Sequence, residues 1–219
     1  MAYRLRNGVT FCEIADSYVF LDTPQDRYFG LAADAQASFR RLVAGAPLGD
    51  GDARLLGELG ATGPIVTTEG EQPALAPPRL RVATESLLDD LTPATTRDLA
   101  LALWHIVAAA RRLRRRGLAG SLDHLGRQKR RVTGGIPLER ARRITAGFVA
   151  AAAVATAHDK CLPRSLALAA RLVAAGGAPD LVIGVKLQPF KAHCWVQLDG
   201  RLVNERVDVA RAFTPILVL

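Results

Sequence analysis

At 219 residues and 49% apolar content the chain is long enough to bury a substantial core in one or two domains. It holds no run of eighteen apolar residues, the nearest being the Ala-rich stretch 144–157, which excludes a membrane-spanning helix and reads as a buried one. The net charge of +8 is divided unevenly: residues 1–78 carry 6 Lys+Arg against 10 Asp+Glu, a net of −4, and the remainder 23 against 11, a net of +12. Such asymmetry implies two domains with different surfaces, and an acidic first domain is a poor partner for nucleic acid.

The opening MAYRLRNGVTF lacks the apolar core of a secretory signal. Residues 9–15, 18–21 and 27–31 are short runs rich in aromatic and β-branched residues. Ala15-Asp16-Ser17 and Thr23-Pro24-Gln25-Asp26 separate them, which predicts a three-stranded meander. A helix is expected over 32–44, with Ala35, Phe39, Leu42 and Val43 on one face and Gly45 at its end, and a second over about 52–59. A turn into a short strand follows. A small sheet followed by helices suggests a winged-helix-type module over residues 1–70. The three prolines of 69–78 (EGEQPALAPP) mark a semi-rigid linker, placed at 71–79.

The second half, 80–219, reads as α+β. A short helix is expected from Thr84 to Asp90, then a long one over 94–116 with Leu99, Leu103, Ile106, Val107 and Ala110 inward. The basic clusters at 111–116 and 127–131 have no aromatic platform or zinc motif beside them. They suit solvated helix faces, or docking of an acidic partner, better than nucleic acid. A further helix is expected over 137–157. His105, His124 and His158 belong to no recognisable pattern.

Chemistry concentrates in 158–207. Pro163 suits a first helical turn and Gly176-Gly177 a helix end, so Cys161 sits at a helix N-terminus, where unpaired amides favour a thiolate. A strand is expected over 181–185. Runs 193–198 and 201–206 flank Asp199-Gly200, a strong hairpin signal. That hairpin brings His193 opposite roughly Arg206, with Glu205 and Asn204 close by. A helix-start Cys, a strand His and a neighbouring acid make the nucleophile–base–orienter set of thiol acyl-transfer enzymes. Cys194 must face away from His193, as inert core, which argues against zinc held by Cys161, His193 and Cys194. Three cysteines without C-x-x-C spacing argue against a disulfide scaffold and fit a reducing, cytoplasmic setting.

C-L-P-R-S-L-x-L-x-x-x-L-x-x-x-G, a strand ending I-G-V and A-H-C-W-V-Q-L-D-G-R-L-V-N-E together resemble the leader peptidase (B protein) family of lasso-peptide biosynthesis over residues 80–219. The resemblance implies a transglutaminase-like, papain-related cysteine protease domain, with Cys161 as nucleophile and His193 as base. It implies no cofactor. The third member is an acid after the His: Glu205 is favoured by the hairpin, Asp199 in the turn is the runner-up, and Asp208 lies beyond the strand. V-F-L-D-T-x-x-D-R-Y-F-G-L followed by a helix is similar to the precursor-recognition element of peptide-modifying enzymes. This implies a leader peptide added as a strand against Tyr28 and Phe29 and packed on Leu55, Leu56 and Leu59, although small domains also bury such residues. At most one of Tyr28 and Phe29 faces a leader, because strand neighbours point apart. The implied partners are the precursor peptide and an asparagine-synthetase-like, ATP-dependent cyclase, with no membrane or nucleic acid. A thiol acyltransferase on the same triad, or a non-catalytic winged-helix binding protein, are the alternatives.

Overall fold

In the computed structural model, which describes residues 2–154 and 161–219, the chain divides into two compact units, Met1–Pro78 and Arg79–Leu219. The helix expected over 137–157 is described as Leu138–Val154, and His158 lies outside the described residues.

The first unit is β-rich. The expected meander is β2 (Val9–Ile14), β3 (Ser17–Asp22) and β4 (Arg27–Gly30), antiparallel in that spatial order, followed by α1 (Ala33–Val43) and α2 (Asp50–Thr62). Positive φ at Ala15 and Asp16 closes the first hairpin. One strand lies outside the expected set: β1 (Ala2–Leu5) pairs antiparallel with β5 (Ile65–Thr68), a partner 60 residues away that local patterning cannot reveal. Phe11, Tyr18, Phe20 and Phe39 form the core, their rings meeting mostly edge to face at 5.0–5.9 Å. The Asp52 carboxylate ties α2 to α1 by accepting from Ser38 Oγ at 2.7 Å and from the Arg41 guanidinium. Those bonds, that of Arg41 above all, hold its carboxyl well below the usual range. Gln72, within the stretch read as linker, exchanges hydrogen bonds with the Tyr3 backbone, its Oε1 accepting and its Nε2 donating, both at 2.8 Å.

The second unit is a five-stranded sheet against three helices. Spatial order is β10 (Thr214–Val218), β7 (Asp180–Leu187), β8 (Phe190–Leu198), β9 (Arg201–Leu202) and β6 (Glu85–Ser86), the last pair parallel and the rest antiparallel. Helices α3 (Thr96–Lys129), α4 (Leu138–Val154) and α5 (Cys161–Ala174) supply the helical layer, and a short α6 (Val207–Arg211) precedes β10. Among the described residues no helix is long and apolar enough to cross a membrane.

Three expectations need correction here. The short helix from Thr84 is instead β6 and one 3-10 turn, Leu87–Asp89, because Ser86 pairs into the sheet and its hydroxyl caps Leu88 N–H. The long helix breaks after Arg116 as expected, at Gly117 with φ 65°, but no loop follows: helix resumes to Lys129. Its buried stripe runs through Ala102 and Ala109, and Val107, expected inside, is 46% exposed, so small residues set the packing there.

Gly184 shows how tightly β7 is packed beside the sheet's chemistry. It stands opposite His193, and a Cβ there would lie 2.7 Å from the Trp195 ring and 2.9 Å from Phe213 Cβ. Gly184→Ala is therefore expected to destabilise the fold by about 1–3 kcal/mol through overpacking. Thermal melting and a changed fluorescence of Trp195, the buried one of two tryptophans, would register it. An unchanged melting point would mean that the ring has room to move.

Candidate functional site

Ser165 explains why the first turn of α5 sits where it does. It lies one helical turn after Cys161, on the same face, and is fully buried. Its hydroxyl donates to the Cys194 carbonyl at 2.8 Å and accepts from Asn204 Nδ2 at 3.0 Å. The helix is thereby pinned to β8 next to His193, and Cys161 comes beside the imidazole. A cavity of 260 Å³ opens on this corner, lined by Cys161, His193 and Glu205 together with Phe148, Val149 and Leu168.

The hairpin forms as expected at its turn and departs from expectation beyond it. Asp199 and Gly200 both have positive φ, 50° and 78°, as a type I′ turn requires. Leu198 pairs with Arg201 and Gln197 with Leu202. The strand expected over 201–206 then stops at Leu202. Val203 N–H still donates to the Val196 carbonyl at 2.9 Å, but Val196 N–H donates to the Asn204 side-chain Oδ1, at 2.8 Å. The Asn204 amide substitutes for backbone, and the chain leaves the ladder.

This departure matters for Glu205. Had the register continued, Glu205 would have stood opposite Cys194 and shared its face, the one turned away from His193. Released from the ladder, Glu205 places Oε2 2.5 Å from His193 Nε2. Ser86 steadies the bend, its hydroxyl donating to the Glu205 carbonyl at 2.7 Å. Asp199 stays exposed in the turn, six residues from His193 or about 20 Å along the strand. Asp208 is on α6, within 3.6 Å of Arg206.

With Nε2 engaged by the carboxylate, Nδ1 is the ring nitrogen left for the thiol. The hydrogen bond with His193 draws the Cys161 pKa down against the opposing effect of burial, helped by backbone hydrogen bonds from Cys194 and Leu162. Reciprocally, the hydrogen bonds to Cys161 and then Glu205 raise His193 to about 9, although burial works the other way. Burial pushes the Glu205 carboxyl up, and the His193 and Arg206 N–H hydrogen bonds outweigh it, leaving the group below its ordinary value. Each of the three shifts favours the charged form of its group: thiolate, imidazolium and carboxylate. Trp195 and Phe213 flank the imidazole, with ring centroids at 6.1 and 5.3 Å.

The other two thiols differ in kind. Cys12 and Cys194 are buried, and burial pushes Cys12 up to about 12 and Cys194 upward as well. Among the described residues no three His, Cys, Asp or Glu side chains are grouped to hold a metal ion.

Of the residues read as leader-binding, Leu56 is fully buried in the core of the first unit, while Phe29 and Leu59 pack against that core, partly buried. Phe29 stacks on Phe20 across the sheet, centroids 5.3 Å apart. Tyr28 and Leu55 are partly exposed, and among the described residues β4 is an edge strand, paired with β3 alone. Sequence reasoning missed Ser165 and Ser86. A serine four residues after the helix-start cysteine carried a faint signal, but Ser86, 119 residues from its partner, carried none.

A thiol, an imidazole and a carboxylate around one cavity are groups with which acyl transfer from an amide or ester carbonyl can be performed. No curated protein and no solved structure matches the chain. The sequence-family model described as the transglutaminase-like superfamily matches residues 102–218, from the first turns of α3 to the end of β10. The chain belongs to the transglutaminase-like superfamily.

Proposed function

We propose that the protein is a cytoplasmic cysteine peptidase that binds the leader of a ribosomal lasso-peptide precursor and removes it. The thiol–imidazole–carboxylate set of Cys161, His193 and Glu205 carries this reading. The Cys161 thiolate attacks the scissile carbonyl, and the His193 imidazolium gives its proton to the departing amine, which is the new core N-terminus. Neutral His193 then takes a proton from water as the water oxygen attacks the thioester. The leader leaves as a carboxylic acid, and the ion pair is restored. The freed amine is passed to an asparagine-synthetase-like, ATP-dependent cyclase for macrolactam formation.

The first unit, winged-helix-like in this reading, holds the leader as an added strand at β4, beside Tyr28 and near Leu55. Leader occupancy raises the effective concentration of the scissile bond at Cys161. Tyr28→Asp in the full chain is expected to weaken leader binding about tenfold or more, by putting a charge where an apolar contact forms. Iodoacetamide labelling of Cys161 should stay as it was. Leader affinity measured by fluorescence polarisation checks this, and unaltered affinity would move the binding surface elsewhere.

A thiol acyltransferase shares the same first half-reaction and differs in what resolves the thioester. Incubating enzyme and precursor with a labelled primary amine separates the two. Hydrolysed leader without adduct supports the peptidase, and amide adduct in place of acid overturns it.

A further inference from the structure

A second cavity, of 640 Å³, is bounded by the first turns of α3 and α4 and the last turn of α5, and shares no lining residue with the Cys161 cavity. Four arginines from three helices line it: Arg97 on α3, Arg140 and Arg143 on α4, and Arg171 on α5. None of the four is in an ion pair among the described residues. Arg142, their neighbour on α4, is by contrast paired, holding Asp90 at 2.8 Å and Glu139 at 2.7 Å.

The carboxylates of this cavity are occupied. Asp98 accepts from Thr95 Oγ1 at 2.6 Å and Thr95 N at 3.2 Å as part of the α3 cap, and Glu139 takes Arg142. Arg97 and Arg140 stand in the first turns of their helices and Arg143 in the second. There the helix dipole already presents positive charge and disfavours a cation. Arg171, in the last turn of α5, is the one arginine that its own helix dipole accounts for. Arg97 and Arg140 thus stand against the local field, and with Arg143 they are three cations without an ion-pair partner among the described residues around a single concavity, an arrangement that a bound anion would relieve. Leu101, Pro137 and Ile144 add apolar wall between them.

We propose that this cavity binds an organic polyanion, with two or more phosphate or carboxylate groups on a body large enough to touch the apolar wall. Guanidinium forks pair bidentately with both kinds of group. The volume lies within the range of small-molecule sites, about 300–1,000 Å³, and far exceeds a bare phosphate. Two sources share this chemistry: a phosphorylated small molecule, and the acidic side chains of a bound peptide.

Titration calorimetry of the full chain with tripolyphosphate and with a synthetic Glu-Leu-Glu-Leu-Glu peptide tests the proposal without reference to peptidase activity. One-to-one binding that weakens with salt is expected for at least one probe. Tighter tripolyphosphate points to the phosphorylated source, and a tighter peptide to the carboxylate one. Arg143→Gln and Arg171→Gln should each weaken the tighter probe by about tenfold or more. Arg114→Gln, on the exposed α3 surface outside the cavity, should leave it within about twofold. Arg97→Gln, at an exposed position, replaces any variant whose melting point falls. Absence of saturable binding by both probes overturns the site, as does equal weakening by Arg114→Gln.

Discussion

At pH 6 the wild-type chain is expected to take up iodoacetamide at Cys161 at least about tenfold faster than the His193→Gln variant. An ordinary thiol at that pH is thiolate in roughly one molecule per thousand, given a pKa near 9. The imidazolium beside Cys161 lowers its pKa and multiplies that fraction, while each unit of lowering sacrifices only about threefold in intrinsic nucleophilicity. The sign is fixed by the pair: His193, held up to about 9, remains charged across neutral pH and keeps the thiolate populated. Wild-type labelling should therefore persist to lower pH than labelling of the variant. The His193→Gln profile should instead climb steeply toward an ordinary thiol value.

Cys12 and Cys194 serve as internal controls, both buried with their thiols pushed up. For the proposed precursor cleavage, Cys161→Ala should cost about 10⁴–10⁶ in kcat. Cys161 is partly exposed and contributes little packing, so the melting point should hold. Equal labelling of all three cysteines, or one pH profile for both proteins, would remove the activated pair from consideration.

Glu205→Gln is expected to lower kcat by up to about 10⁴, the loss found when a triad orienter loses its charge but keeps its shape. The amide preserves the size of the side chain and cannot balance the imidazolium. His193 should accordingly titrate below about 9, a change that proton NMR of the ring reads directly. Asp199→Asn, which retains a residue tolerant of positive φ in the turn, should behave as wild type. Asn204→Ala should lie between them: it leaves the Val196 N–H and Ser165 hydroxyl short of a partner, at a cost of about 1–3 kcal/mol, and lets Glu205 drift. A dead Asp199→Asn beside an active Glu205→Gln would reassign the third member.

Much of this corner is legible in the amino-acid sequence. Pro163 and Gly176-Gly177 delimit the helix that begins at Cys161. Asp199-Gly200 announces the I′ hairpin that carries His193. Alternation along β8 puts Cys194 on the face opposite His193. These are local signals, in which a residue's own backbone preference or its strand period decides the outcome. Helix faces are less legible. On α3 the buried stripe follows Ala102 and Ala109 instead of the larger Leu99 and Val107, because α5 packs close and small side chains permit that approach.

The sequence by itself determined the chemical inventory: one cysteine at a helix start, one histidine on a strand before a tight turn, and an acid within reach after it. It could not decide which acid, and hairpin pairing, which favours Glu205, misplaces its side chain. A ladder continued in register turns Glu205 away from His193. Only the tertiary structure supplies the reason it faces inward. Asn204 takes the Val196 N–H, Ser165 holds Asn204 from α5, and Ser86 takes the Glu205 carbonyl. Ser165 and Ser86 lie 39 and 119 residues from the groups they hold, and a hydrogen bond between residues so far apart is a property of the packed chain, absent from any local pattern.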